Sequence, residues 1–567
     1  MIYSGNAPWL DRSLKLSLSF EPFLLPMAES VAKEAGKRRK EDAVQNIKTA
    51  LSVILANLLR SHALHPSYGV RIDLSSDGYP KGQFNPYRLG IRAVRTVVRY
   101  LANSNPSLIH KKGGNFDKVR GLKYPTEIWI SDYLKGALLA YLTEDKSISN
   151  DTNKLYSIPI TRNAFGINEY VSKYNLIYER VDLSSIRLRK GSSKSERSFI
   201  EFEHNEETRS MEAHLDRYNS FISSNAKLNL FLADEKMVKL QKGNDHDYDE
   251  FGYSDSEPSS ADLASPTRLY RVFNDGRFDH GGRFYGGWWQ SIRKDYRRFI
   301  TINGRPTVEV DFSSMQLAML YAQVGRQLEG DAYVIDGFGP EVRPLVKTTT
   351  LKMINAPGGI RSPLKSALPE GISWKGLQEA ILARHKAIAE FFGSGEGIRL
   401  QRLDSDIAEE VIMTMMDKGI PVLPIHDSFI VAEGHAEELS ATMVNAYQRR
   451  MRGRAISLKR SPSLFDELLA GQEQLSINER HNVALRLFLA KRETPDYEGY
   501  RLREELLDRA RSGVSARTTE VWPLGQTEST SKGKFPTTGP RLETSYFGMR
   551  GSLNPAKRLW DRFMSRR

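Results

Sequence analysis

The sequence predicts an α+β chain of several domains. Three observations carry this. The chain has 567 residues, beyond the size at which single cores stop growing, and divides into about three or four ordinary domains. Forty per cent of the residues are apolar, enough to fill real cores. Both periodicities occur: helical spacing near the N-terminus, and alternating strand-like and helical patterns from 268 to about 470.

Residues from about 40 to 65 read as an amphipathic helix, with Val44, Ile47, Leu51, Ile54, Leu55 and Leu58 at helical spacing. A second helix is expected over about 87 to 103, its apolar face being Ile91, Val94, Val97, Val98 and Leu101. Arg88, Arg92, Arg95 and Arg99 form a stripe on the other side. Two short strands then follow, SLIHKKGGNF and KYPTEIWI, joined by a basic, glycine-containing turn.

The remaining boundaries come from composition. Residues 1–39 are an N-terminal arm and 40–145 the first module. Residues 146–242 are a mixed α/β or thumb-like region. Residues 243–267 hold seven acids and no Lys or Arg, so a linker or loop is expected there. It is either a simple solvated linker or a nucleic-acid mimic over a basic channel. Residues 471–511 form a C-terminal helical segment, and 512–567 a basic tail expected to be disordered.

The formal charge is +13, from 82 basic and 69 acidic residues. A polyanionic partner is the natural reading, a basic solvated surface the plain one. The chain has no cysteine, which excludes disulfides and thiolate metal sites and suits a reducing compartment. No apolar run reaches the roughly 18 residues of a membrane span. The first residues lack a signal-type apolar core. The expectation is a soluble cytoplasmic protein without a membrane partner.

The candidate chemistry lies between 268 and 470. Thr307 to Phe312 reads as a strand running into a helix, with Val308 and Val310 on one face and Glu309 and Asp311 on the other. An acid at a strand end is fixed by the strand and open to a ligand. GIPVLPIHDSFIVAEG reads as a buried hairpin with His426 and Asp427 at its bend. A carboxylate at such a tip serves a ligand or caps the turn. Arg343 to Ala356 reads as a helix, with Arg343, Lys347, Leu351 and Asn355 in one row. Two cations in register suit a triphosphate, or a solvated face. The upstream run RFDHGGRFYGGWWQSIRKDYRRF combines glycines, aromatics and the basic cluster Arg293, Lys294, Arg297 and Arg298. Such a mixture can stack bases and bind phosphates, or form an aromatic core under a basic surface.

In order and spacing these elements resemble the palm and fingers of the superfamily of family A DNA polymerases and phage-type single-subunit RNA polymerases. Asp311-Phe312-Ser313 resembles the first catalytic motif, the Arg343–Lys347–Asn355 helix the fingers motif, and His426-Asp427 the third motif. Asp279-His280-Gly281-Gly282-Arg283 resembles the Asp-x-x-Gly-Arg element that holds template and hybrid. Asp331-Ala332-Tyr333 resembles an element that follows the first motif, and the helix bearing Gln401 the one that precedes the third. The resemblance covers about 268 to 460. The whole chain also resembles bacterial and mobile-element proteins carrying RFYGGWWQ, which implies the cytoplasm of a bacterial, viral-host or mobile-element-host cell. Residues 40 to 140 resemble a winged-helix module, whose second helix enters a DNA groove; a small α+β domain with a solvated arginine face is the other reading.

The resemblance implies a right-hand polymerase, with an antiparallel-sheet palm and helical fingers and thumb behind a winged-helix module. Its partners would be a DNA template, a nascent RNA or DNA strand and nucleoside triphosphates. Asp311 and Asp427 would bridge two Mg²⁺ ions, with Mn²⁺ a second option and the Phe312 carbonyl a third ligand. Arg343 and Lys347 would bind the β- and γ-phosphates, Lys347 also giving a proton to pyrophosphate. His426 would meet the 3′-terminal nucleotide. Asp279, Gly282, Arg283 and Gln401 would contact template and primer, and Arg88, Arg92, Arg95 and Arg99 the DNA.

Three positions bear on the sugar. Asn355-Ala356 stands where the family has Tyr-Gly. Gln316 stands where DNA polymerases have Glu and RNA polymerases Gly. Asp427-Ser428 is the RNA-polymerase form of the third motif. The balance leans to an RNA polymerase or primase, with DNA synthesis second. No acidic triplet for a proofreading exonuclease occurs in residues 1 to 270. Two further readings are a DNA-binding regulator with an inactive palm and a template-independent terminal transferase.

Overall fold

The computed structural model describes residues 9–36, 41–64, 69–144, 178–237, 268–358 and 368–508, apart from short internal gaps. The acidic stretch 243–267 and the tail 512–567 lie outside the described residues, as do 145–177. The chain is α+β, and its buried apolar side chains separate into two cores, one running from Leu14 to Tyr178 and the other from Ile186 to Tyr500.

The first core is built from β1 (Leu14–Leu16), α1 (Glu21–Glu34), α2 (Glu41–Leu64), β2 (Val70–Ile72), α3 (Ile91–Asn103), β3 (Ile109–Lys112), β4 (Asn115–Asp117), β5 (Leu122–Tyr124), β6 (Thr126–Ile130), α4 (Asp132–Glu144) and β7 (Tyr178–Arg180). Residues 14–34, read from sequence as an arm, belong to this core: Leu14, Leu16, Phe20, Leu24 and Met27 are buried in it. β2, β6 and β3 form an antiparallel sheet in that order. The expected basic hairpin is β3 with β6, paired from Ile109–Ile130 to Lys112–Glu127, with the small β4–β5 ladder between them in sequence.

α3 starts four residues later than the periodicity suggested. Arg88 has a left-handed backbone (φ 52°) and Gly90 is an extended N-cap, so the helix cannot begin before Ile91. Val94, Val97, Val98 and Leu101 are buried as expected, and Arg88, Arg92, Arg95 and Arg99 are exposed. Arg95 is not free, because its Nε donates to the Leu74 carbonyl at 2.9 Å.

The second core contains β8 (Ile186–Lys190), β9 (Ser198–Ile200), α5 (Glu206–Asn225), β10 (Leu228–Leu230), β11 (Tyr270–Asn274), β12 (Arg277–Tyr285), β13 (Ile300–Ile302), β14 (Arg305–Phe312), α6 (Met315–Gln323), α7 (Arg343–Asn355), α8 (Trp374–Arg384), α9 (Gly397–Asp417), β15 (Val422–Ile425), β16 (Ser428–Ala432), α10 (Ala436–Arg450), β17 (Leu458–Arg460), α11 (Leu464–Leu468) and α12 (Ile477–Arg492). Its main sheet is antiparallel, in the order β10-β13-β14-β16-β15, with β17 against the end of β14. A second sheet has the order β12-β11-β8-β9, with β8 parallel to β11. α9 packs on β12 of one sheet and β15 of the other. Its Leu400, Ile407, Val411, Ile412 and Met415 are buried, each contributing roughly 1.5–3 kcal/mol of hydrophobic stabilisation. The C-terminal segment closes the same core through Phe488, Tyr497 and Tyr500, which surround Phe231.

Candidate active site

β14 is the centre of the site. It alternates as the sequence requires: Val308, Val310 and Phe312 are buried, and Glu309 and Asp311 partly exposed. Its neighbour β16 pairs Asp311 with Ser428, so Asp427 lies next to Asp311's cross-strand partner. The Phe312 N–H donates to the Asp427 carbonyl at 3.2 Å, closing the strand end onto the hairpin bend. His426 takes a left-handed backbone (φ 55°) at that bend, and its ring meets Tyr285 edge-on at 5.7 Å. The phenyl ring of Phe312 packs between Phe429 and Tyr447. The side chain therefore anchors the strand end and leaves only the backbone of this residue available to a ligand.

The carboxylate pair carries an unbalanced charge. Asp311 Oδ1 is buried without a hydrogen-bond partner. Burial first, and then the charge of Asp427, push the Asp311 carboxyl up to about 7, against the pull of Lys294 and Lys347. Beside it, Glu309 accepts from Ser428 Oγ at 2.8 Å and Arg297 Nη1 at 3.3 Å. Glu309 is thus satisfied and Asp311 is not.

α7 spans the predicted residues and brings its two cations to one ring. The Arg343 guanidinium lies 5.5 Å and Lys347 Nζ 5.9 Å from the Tyr333 centroid. Arg343 also donates to Asp331 at 2.7 Å. Tyr333 is buried; burial pushes its hydroxyl up, against a hydrogen bond with Ser314. The loop is braced from below, where His385 Nε2 lies 2.9 Å from the Ala332 carbonyl.

Asp311, Asp427, the Phe312 backbone, His426 and Lys347 thus come together, with Arg343 beside them. Arg283 joins them through Asp404, to which its Nε donates at 3.1 Å and its Nη2 at 2.5 Å. Asp279 instead pairs with Arg277 at the surface, which lowers its carboxyl to about 2. Gly282 is buried where α9 crosses β12: a Cβ there would lie 2.7 Å from Phe273 Cε1. Gln316 Oε1 is buried without a hydrogen-bond partner. Asn355 is turned to its own helix, its Nδ2 donating to the Leu351 carbonyl at 2.7 Å. Gln401 is half-buried on α9. The arginines from Arg88 to Arg99 belong to the N-terminal unit.

Asp404 was not singled out from the sequence. Its signal was present: an acid four residues from Leu400 and from Ala408, on the apolar face of a helix. Among the described residues no group of three or more His, Asp or Glu side chains is arranged to hold a metal ion. None of the described helices is long and apolar enough to cross a membrane.

No protein-family model matches the chain, and no curated protein matches it. Among solved structures, the POL domain of Pol1 from M. smegmatis, in complex with DNA primer-template and dNTP, is similar at 13% identity and a TM-score of 0.25, over 71% of this chain and 80% of that one. At that score the likeness carries no argument about fold or function, and the functional assignment rests on this chain's own residues.

Proposed function

We propose that the chain is a template-directed nucleic-acid polymerase, a nucleotidyltransferase that uses a DNA template and nucleoside triphosphates. One observation carries the reading. Two carboxylates from well-separated segments face each other's charge, Asp311 at the end of β14 and Asp427 at the bend before its neighbour β16, and Asp311 Oδ1 is buried without a hydrogen-bond partner. A structural acid in that position is paired, as Glu309 is; an unpaired one is kept for a ligand.

The donor set fits Mg²⁺. Mg²⁺ favours a few hard oxygen donors and keeps water or substrate oxygens in its other positions. Asp311, Asp427 and the Phe312 carbonyl would hold two ions, Mn²⁺ being the other candidate. Such ions, when bound, supply charge stabilisation for an attacking hydroxyl and a departing pyrophosphate. Arg343 and Lys347, braced on Tyr333, meet the triphosphate from α7 and offset charge on its β- and γ-oxygens. Lys347 can return a proton to the leaving group. His426, against Tyr285, forms the wall for the terminal nucleotide of the growing strand.

The N-terminal unit is proposed as a winged-helix-like DNA-binding module. Its exposed Arg92 and Arg99, with the β3–β6 hairpin, offer phosphate contacts. A DNA-binding regulator with an inactive palm would use these arginines but has no need of the carboxylate pair. We favour RNA synthesis, because the third motif, with Ser428 after Asp427, has the RNA-polymerase form. DNA synthesis remains the alternative that Gln316 favours.

Purified protein given primed and unprimed DNA, with labelled ribonucleotides or deoxyribonucleotides offered separately, tests the reading. Template-dependent, Mg²⁺-dependent incorporation is expected. Products whose length ignores the template would point to a terminal transferase, and no incorporation at all would overturn the enzyme reading.

A further inference from the structure

α9 packs against β12 at Gly282, where there is no room for a side chain, since a Cβ there would also lie 3.0 Å from Ser405 Oγ. Fully buried Arg271 locks the crossing. It donates to Ser405 Oγ and Asp406 at 2.9 Å each, to Glu409 at 2.7 Å and to the Gly282 carbonyl at 2.7 Å. The two elements are therefore fixed in register with each other.

On this rigid crossing sits the ion pair of Asp404 and Arg283. Asp404 is 2% exposed and is the one charged side chain among the buried residues of α9, where Ser405 is the other polar one. A buried ion pair is a poor route to stability, because well-packed apolar residues in its place serve as well or better. Arg283 gives Nε and Nη2 to Asp404, and among the described residues its Nη1 makes no hydrogen bond. The charge of Asp427 acts on both members of the pair. A guanidinium with one edge clamped and one nitrogen open, beside a site proposed to handle nucleotides, is oriented for a phosphate or sugar oxygen.

We infer that Asp404 is a positioning residue. It fixes the Arg283 guanidinium so that Nη1 binds the terminal nucleotide of the growing strand beside Asp427. Asp404 itself touches no substrate. This inference rests on the polymerase reading, and its test separates the two.

The experiment is a double-mutant cycle of Asp404→Asn, Arg283→Gln and their combination. Primer extension is measured together with primer-template affinity by fluorescence anisotropy, and thermal melting reports folding. Asp404→Asn is expected to lower kcat/KM about 10²-fold, the usual cost of a misplaced contact. Primer-template binding weakens, and KM for the nucleotide changes little. Arg283→Gln gives the same loss and the double variant is no worse, because both act through one guanidinium. If Asp404→Asn does not fold, Arg283→Gln decides alone, since the remaining Asp404 can take a proton and stay buried. Additive losses in the cycle, or wild-type extension and affinity in Arg283→Gln, would overturn the inference and leave the polymerase reading intact. A wild-type protein that extends no primer removes both.

Discussion

Replacing Asp311 with Asn should make the metal-free protein more stable while abolishing its activity. In the fold the Asp311 carboxyl is pushed from its ordinary 3.8 up to about 7 by burial and by Asp427. Its folded value is raised, so the folded state binds more protons than the unfolded state between these two limits. Stability from this group is complete below the ordinary value and is lost as pH rises through about 7. A shift of about three units corresponds to at most roughly 4 kcal/mol. The group is partly exposed and its titration is shared with Asp427, so solvent screening reduces this to about 1–2 kcal/mol at pH 8. Asn carries no charge at any pH and escapes the penalty. The assay is urea unfolding at pH 5 and pH 8 in the presence of a chelator. Wild type should lose about 1–2 kcal/mol more than Asp311→Asn between these pH values. Added Mg²⁺ should raise wild-type stability and leave the variant unmoved. An Asp311→Asn protein that is less stable than wild type at pH 8, or that keeps the wild-type pH slope, would refute this reasoning.

Other outcomes follow from the same geometry. Lys347→Ala should raise KM for nucleotides and cut kcat/KM by roughly 10²-fold in steady-state extension, through loss of a charge-assisted phosphate contact. Arg92→Ala and Arg99→Ala, both on the exposed face of α3, should each reduce the slope of log affinity against log salt by about one, without altering nucleotide KM. Gly282→Ala has a positive φ of 84° and its Cβ would meet Phe273 and Ser405, so it should lose about 2–3 kcal/mol in denaturant melts. Ser428→Ala removes the hydroxyl that Glu309 accepts from and should cost about 1 kcal/mol.

Much of this site was legible in the sequence because its elements are local. The strand ending at Asp311, the hairpin bending at His426-Asp427 and the helix from Arg343 each follow from alternation or a row of fours. The structure gives Arg305–Phe312, Val422–Ile425 with Ser428–Ala432, and Arg343–Asn355. Pairings between distant segments were not legible. Nothing local says that Asp404 meets Arg283, that Arg297 reaches Glu309, or that Tyr333 lies beneath both cations of α7. The start of α3 was misjudged because a left-handed backbone at Arg88 breaks a periodicity that the apolar pattern continues through. The N-terminal residues looked like an arm although they are rich in apolar positions such as Leu14, Leu16, Phe20, Leu24 and Met27, because nothing nearby in sequence shows what those positions pack against. Their burial depends on α2, which no short window includes.

The most direct test compares nucleotide incorporation by wild type, Asp311→Asn and Asp427→Asn on a primed DNA template with Mg²⁺. Both substitutions keep size and shape and remove only the charge that a metal requires. A loss of about 10³-fold or more in each variant, with folding intact, is the expected result. Near-native incorporation by either variant would contradict the assignment of this carboxylate pair as the catalytic centre.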